Sequence, residues 1–196
     1  PLQFQQEKHA EMTNELQFNS ALLSVASNPI ATRVLIERLD ALRAELDSIS
    51  SPKLQSLETI ATDLSNERLL KHTKSGVQPR VAYTLVDIFH LHSPNAPYNA
   101  LQLEAIFKLF VSQFKHLMDP EGKDYPLHIH ILKTAAVNDI FTLVADIPKR
   151  DELIDSLFET LYSVISSDRF ESVLDPLVLD ILITVIKEAN VVLSMK

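Results

Sequence analysis

Ser93-Pro94-Asn95-Ala96-Pro97-Tyr98 separates two long apolar patterns of helical period. Before it, Val81, Leu85, Ile88 and Leu91 recur at helical spacing; after it, Leu103, Ile106, Phe107, Phe110, Val111, Phe114 and Leu117 do the same. Pro94 and Pro97 have no N–H and clash with a preceding helical turn, so neither belongs inside a helix. Each also biases the residue before it, Ser93 and Ala96, toward extended backbone. The stretch therefore predicts a stiff corner ending in the aromatic Tyr98. Asn99 is placed to cap the next helix, with Gln102 at the capping-box position. Two readings of the corner stay open on residue types alone. It is a helix–helix turn anchored by a tyrosine, or a binding platform whose fixed backbone loses little entropy on docking and whose Tyr98 is a favoured hot-spot residue.

Outward from the corner, every apolar pattern is helical. Asn28-Pro29 reads as a cap and first-turn proline opening a helix through Leu35, Leu39, Leu42, Leu46 and Ile49. After Ser50-Ser51-Pro52 a second helix carries Leu54, Leu57, Ile60, Ala61 and Leu64. Lys71 to Pro79, polar and holding Gly76, is predicted as a loop. Asp119-Pro120-Glu121-Gly122 supplies stop signals, and a helix is expected over about Pro126 to Val144. Leu153, Leu157, Leu161 and Ile165 mark the next, and Asp175-Pro176 opens the last. The expectation is an all-α protein of about seven helices. Helix pairs recur at roughly 40–50 residues, the spacing of HEAT or armadillo hairpins, so the helices are expected to stack into an α-solenoid.

Residues 1–28 are expected to form an N-terminal arm, pinned by Phe18, Leu22 and Leu23, and residues 29–196 the N-terminal part of a helical array. Within the arm, 1–11 is polar and aperiodic, and Met12 fits a native start. The apolar Val191-Val192-Leu193 offers no polar closing face, which suggests a longer array.

Composition narrows the chemistry. The 196 residues are 46% hydrophobic, enough for a substantial core. Eighteen Lys and Arg against 26 Asp and Glu give a net charge of −8, which disfavours direct nucleic-acid binding. There is no cysteine, hence no disulfide, thiolate metal site or cysteine nucleophile. No apolar run reaches the length of a membrane span. His90-x-His92 and His128-x-His130 point about 200° apart on a helix and cannot share one metal as an i,i+4 pair does. Two glycines cannot build a phosphate-cradling loop. Neither an enzyme nor a cofactor site is expected.

Leu69-Leu70-Lys71-His72, Leu85-Val86-Asp87-Ile88-Phe89, the corner, Ile106-Phe107-Lys108-Leu109 and Ser112-Gln113-Phe114 together resemble the "precocious dissociation of sisters" family, the cohesin-associated regulators of sister-chromatid cohesion. The resemblance is specific over residues 65–120. The family's corner reads alanine-proline-aspartate-alanine-proline-tyrosine. This chain keeps Pro94, Ala96, Pro97 and Tyr98 and departs with Ser93 and Asn95. Tyr83-Thr84 replaces the family's cysteine pair, and Gln78 replaces a basic residue. The resemblance implies HEAT repeats and a nuclear, chromatin-linked scaffold without catalysis. It implies as partners the cohesin complex, the Wapl-type releasing factor, the cohesin acetyltransferase and, in animals, sororin. It also implies that the corner grips short motifs, tyrosine-serine-arginine in Wapl and phenylalanine-glycine-phenylalanine in sororin. The partner-binding set would be Ser93, Pro94, Asn95, Ala96, Pro97 and Tyr98, with His92 lining the groove. The kleisin-binding surface is expected further along the family's chain. The competing reading is a HEAT or armadillo adaptor of another pathway, such as transport or phosphatase scaffolding. A hydrolase would need a deep polar pocket with converging acids or histidines.

Overall fold

Leu35, Leu39, Leu42 and Leu46 lie on one stripe and all are buried, which makes Thr32–Ser48 the first amphipathic helix, α1. The computed structural model describes residues 16–25, 29–49, 54–93, 95–148 and 150–194. After α1 come α2 (Leu54–Leu64), the single turn α3 (Glu67–Leu70), α4 (Val77–His92), α5 (Ala100–Phe114), α6 (Tyr125–Val137), α7 (Arg150–Ile165) and α8 (Asp175–Ser194). Short 3₁₀ segments follow α5 (Lys115–Met118), follow α6 (Ile140–Asp146) and precede α8 (Ser172–Leu174). Among the described residues there is no β-sheet, and seven helices exceed a single turn. No helix among them is long and apolar enough to cross a membrane.

The helices alternate between two rows. α1, α4, α6 and α8 pack successively side by side, while α3, α5 and α7 form the second row. This is the hairpin stack of an α-solenoid. Arg80 ties the first row together: its Nε donates to Asp40 of α1 at 2.9 Å and its Nη1 to Asp124, at the start of α6, at 3.1 Å. The Arg80 side chain is only 15% exposed, so this network is less screened than a surface pair. Gly76 makes room for it. Its φ of 82° is left-handed, and a Cβ there would stand 3.3 Å from Arg80 Nη1.

Between the rows, aromatic rings fill the core. Phe107, 0% exposed, stacks on Phe141 at 5.1 Å and lies 6.0 Å from both Phe89 and Phe110. On the arm, Leu22 is buried and Phe18 and Leu23 are partly buried against the core. Arg38 and Arg68 donate to the carbonyls of Ala21 and Ser24. Residues 1–11, Met12, Ser50-Ser51-Pro52 and the Val191–Leu193 side chains lie outside the described residues.

Three boundaries differ from the sequence expectation. Pro29 does not start α1: Ile30 N–H donates to Ser24 Oγ at 3.0 Å, which holds the chain extended until Ala31 caps the helix. Asn28, its expected cap, lies outside the described residues. Pro79 is not in the loop but in the first turn of α4, where backbone N–H groups lack helical partners anyway. The helix expected over 126–144 breaks at Asn138-Asp139, where Asp139 takes a φ of 49°, and continues as a 3₁₀ segment. Its apolar pattern persists because Ile140, Phe141 and Val144 still point into the core.

Because Phe107 joins α5 to α4 and to the segment after α6, Phe107→Ala should remove about 3–5 kcal/mol of unfolding free energy. Urea denaturation followed by circular dichroism measures this. A loss below about 1 kcal/mol would mean that the ring cluster is not the joint between the rows.

Candidate functional site: the proline corner and its cleft

α4 ends with the Ser93 N–H donating to His90 O at 3.3 Å, and the Asn95 N–H donates to His92 O at 3.0 Å. The chain thus turns tightly into the corner; Pro94 itself lies outside the described residues. Ser93 and Asn95 are exposed, Ala96 and Pro97 half-buried, and Tyr98 only 9% exposed. The Tyr98 ring points inward, 5.1 Å from Phe89 and tilted 49° to it. Of the two readings left open by residue types, the anchoring tyrosine is the one this ring position matches; as an exposed hot spot it would have to point outward. Burying the ring against Phe89 removes apolar area from water, and that outweighs the lost solvation of its hydroxyl. The hydroxyl has no hydrogen-bond partner, and burial pushes its pKa above the ordinary phenol value.

Beyond the corner, Asn99 Oδ1 accepts from the N–H groups of Leu101 and Gln102 at 3.0 Å each, while Gln102 Oε1 accepts from Asn99 N–H at 3.0 Å. This is the capping box the sequence predicted. Gln102 Nε2 also donates to Ser65 Oγ at 2.8 Å, fixing the start of α5 to the end of α2.

Ser93 and Asn95 form one wall of a cleft of about 250 Å³, floored in part by Phe89. The other wall is the turn after α6: Asn138, Asp139 and Thr142. Sequence reasoning missed this second wall. The Asn-Asp dipeptide inside an apolar pattern was its available signal, since both residues tolerate left-handed backbone. His92 does not line the cleft. It is half-buried with Nε2 unpartnered, and burial lowers its pKa, with Glu58 of α2 opposing.

A family model described as "Sister chromatid cohesion protein PDS5 protein" matches residues 33–195. The chain belongs to the PDS5 family. Its relatives include the sister chromatid cohesion protein PDS5 of Saccharomyces cerevisiae, 35% identical over 76% of this chain and 12% of that protein. The pds5 of Schizosaccharomyces pombe is 28% identical over 91% of this chain and 15% of its own length. Human PDS5 homolog A is 27% identical over 84% of this chain. In a solved structure of the Pds5–Scc1 complex, one chain superposes with a TM-score of 0.81 at 34% identity, over 89% of this chain and 26% of its own. This PDS5-family chain thus spans a small part of the proteins it matches. The match also reaches far beyond residues 65–120, where the sequence resemblance was specific.

The histidines of this PDS5-family chain have separate surroundings. His90 Nδ1 lies 2.6 Å from Asn138 Oδ1, and His130 Nε2 lies 2.6 Å from Asp87 Oδ1. His128 is 5% exposed and stacks on His116 with ring centroids 5.0 Å apart. It lines a polar cleft of about 320 Å³ with Gln113, Lys74 and Lys123. Among the described residues no group of three metal-ligating side chains converges.

Tyr98 gives the first prediction from this site. Tyr98→Phe removes an unpartnered buried hydroxyl and should leave the melting temperature equal or higher. Tyr98→Ala should cost about 3 kcal/mol, because the ring anchors the corner to Phe89. A destabilised Tyr98→Phe would show that the hydroxyl has a partner in solution.

His128 supplies a pH prediction. Burial, helped by the nearby His116 and opposed by Asp124, pulls its pKa from 6.5 down to about 4. The unfolded chain therefore takes up this proton first as pH falls. Stability should be unaffected by His128 above pH 6.5 and should drop by up to about 3 kcal/mol as pH approaches 4. His128→Leu should flatten that part of the profile in urea melts. Parallel profiles for the two proteins would contradict the assignment.

Proposed function

We propose that this chain is part of a non-catalytic scaffold that regulates sister-chromatid cohesion in the nucleus, on chromatin. In this reading the full protein binds the cohesin complex and meets the Wapl-type releasing factor and the cohesin acetyltransferase through short linear motifs. No nucleic acid or membrane is engaged by this fragment. The observation that carries the reading is the 0.81 TM-score to a chain of the solved Pds5–Scc1 complex, with relatives named as cohesion proteins over most of the chain.

Within the fragment, the corner is the proposed motif-binding site. Three features support it. Its backbone is fixed before any ligand arrives, which limits the entropy lost on docking. Ser93 and Asn95 present exposed polar groups over a cleft closed by the following turn. The Tyr98 ring, packed 5.1 Å from Phe89, anchors the corner from beneath. In this reading Ser93 and Asn95 contact the ligand, and Tyr98 holds the corner in place from beneath. Asn95 can donate and accept hydrogen bonds but carries no charge, where the family has aspartate.

Calorimetry with a peptide bearing the tyrosine-serine-arginine motif of a Wapl-type factor tests this. Asn95→Asp should tighten the complex about fivefold, since a carboxylate–guanidinium bond is stronger than a neutral one. The gain should shrink as salt rises. Ser93→Arg, which fills the cleft mouth, should abolish binding. Unchanged affinity in both variants would make the corner a turn only. Recovery of an unrelated cargo and no cohesin subunit with the full-length protein would favour an adaptor of another pathway.

A further inference from the structure

A second groove, of about 350 Å³, lies between the C-terminal end of α1 and the facing turns of α4 and α6. Asp87 stands in it, 8% exposed. One carboxylate oxygen, Oδ1, is 2.6 Å from His130 Nε2. The other, Oδ2, is buried and has no hydrogen-bond partner. An ionised carboxylate only accepts, so Oδ2 needs a donor, and a buried oxygen left without one is costly.

His130 cannot supply the second bond. Its ring is stacked on Tyr83 at 3.7 Å with only 10° between planes, and Arg43 sits over Tyr83 at 5.0 Å. The imidazole is thus held in one orientation, its Nε2 facing Oδ1 at 2.6 Å and Thr134 Oγ1 at 3.3 Å. Asp47 adds a second carboxylate to the groove, while Lys133 is its one ammonium, exposed at the rim without an ion-pair partner among the described residues. Leu91 and Val137 give an apolar border, and Val137 is 74% exposed.

We propose that this groove docks a segment of a partner protein through a basic side chain, arginine or lysine, inserted against Asp87 Oδ2, with an aliphatic neighbour over Leu91 and Val137. The charge fits: two carboxylates face one ammonium in the groove, on a chain of net charge −8. The need for a donor is set by the orphaned oxygen and does not depend on the corner binding anything. The two grooves adjoin at Asn138, which lines both. A longer partner segment could therefore occupy them together.

The test is a backbone-amide NMR titration with the peptide Ala-Leu-Arg-Leu-Ala, its lysine counterpart and its citrulline counterpart, which keeps the shape and loses the charge. The arginine and lysine peptides should give saturable shifts at Asp47, Ile49, His90, Leu91, Thr134 and Asn138. Citrulline should weaken binding at least about tenfold. Asp87→Asn, whose amide can still bond His130, should weaken it similarly with an otherwise unchanged spectrum. Lys133→Gln should tighten it by removing a like charge, a readout that stands even if Asp87→Asn does not fold. Ser93→Ala and Asn95→Ala should leave it unaltered, separating this groove from the corner. The proposal is overturned if no basic peptide binds here, if citrulline binds as well as arginine, if folded Asp87→Asn binds unchanged, or if Lys133→Gln weakens binding.

Discussion

The inward packing of Tyr98 against Phe89 is the contact on which the corner depends. Phe89 belongs to α4, touches Phe107 and Phe110 of α5, and through Phe107 reaches Phe141 in the turn after α6. One continuous set of rings therefore fixes the corner, both helices it joins, and the opposite wall of its cleft. Prolines limit the backbone locally, while burial of the tyrosine, together with the Gln102–Ser65 hydrogen bond, fixes where the corner sits. Ring contacts of this kind add a preference of about 0.5–1.5 kcal/mol to the larger effect of burial.

The two-row stack explains where the clefts form. In each row, a helix meets its neighbour from the next hairpin along side-chain surfaces that do not close completely at the ends. The cleft beside Asn95 and the groove around Asp87 both lie at such junctions between α4 and the α6 region. A third groove of about 590 Å³ lies in the other row, where Leu70, Leu101 and Leu109 line it among polar side chains such as Glu67, Lys71, Glu104 and Lys108. Arg80, with its two carboxylate partners, keeps α1, α4 and α6 in fixed relation, so the first two sites are walled by elements that move little relative to each other.

Much of this was legible in the sequence. The leucine stripe of α1, the capping box at Asn99 and Gln102 and the Asp175 start of α8 each follow from local chemistry, and the structure places them accordingly. The family was legible because the corner concentrates residues with special backbone demands. The direction of Tyr98 was not: a tyrosine has an apolar body and a polar tip, and only the presence of Phe89 beneath it decides which is satisfied. Pro79 misled because a proline looks the same in a loop and in a first helical turn. Asp87 carried a signal that went unused, a carboxylate within the apolar run Leu85-Val86-Asp87-Ile88-Phe89. Its orphaned oxygen depends on His130, 43 residues away, and no local pattern shows that.

The central claim is that a corner held from beneath by Tyr98 receives a partner motif on its outer face. Mapping backbone-amide shifts while adding the Wapl-type motif peptide to the unaltered chain tests it most directly. The account predicts that the largest shifts fall on both walls of one cleft, at Ser93, Asn95 and Ala96 and across from them at Asn138, Asp139 and Thr142, while Leu39 and Leu161 in the core stay still. Shifts confined to another surface, or none at saturating peptide, would contradict it.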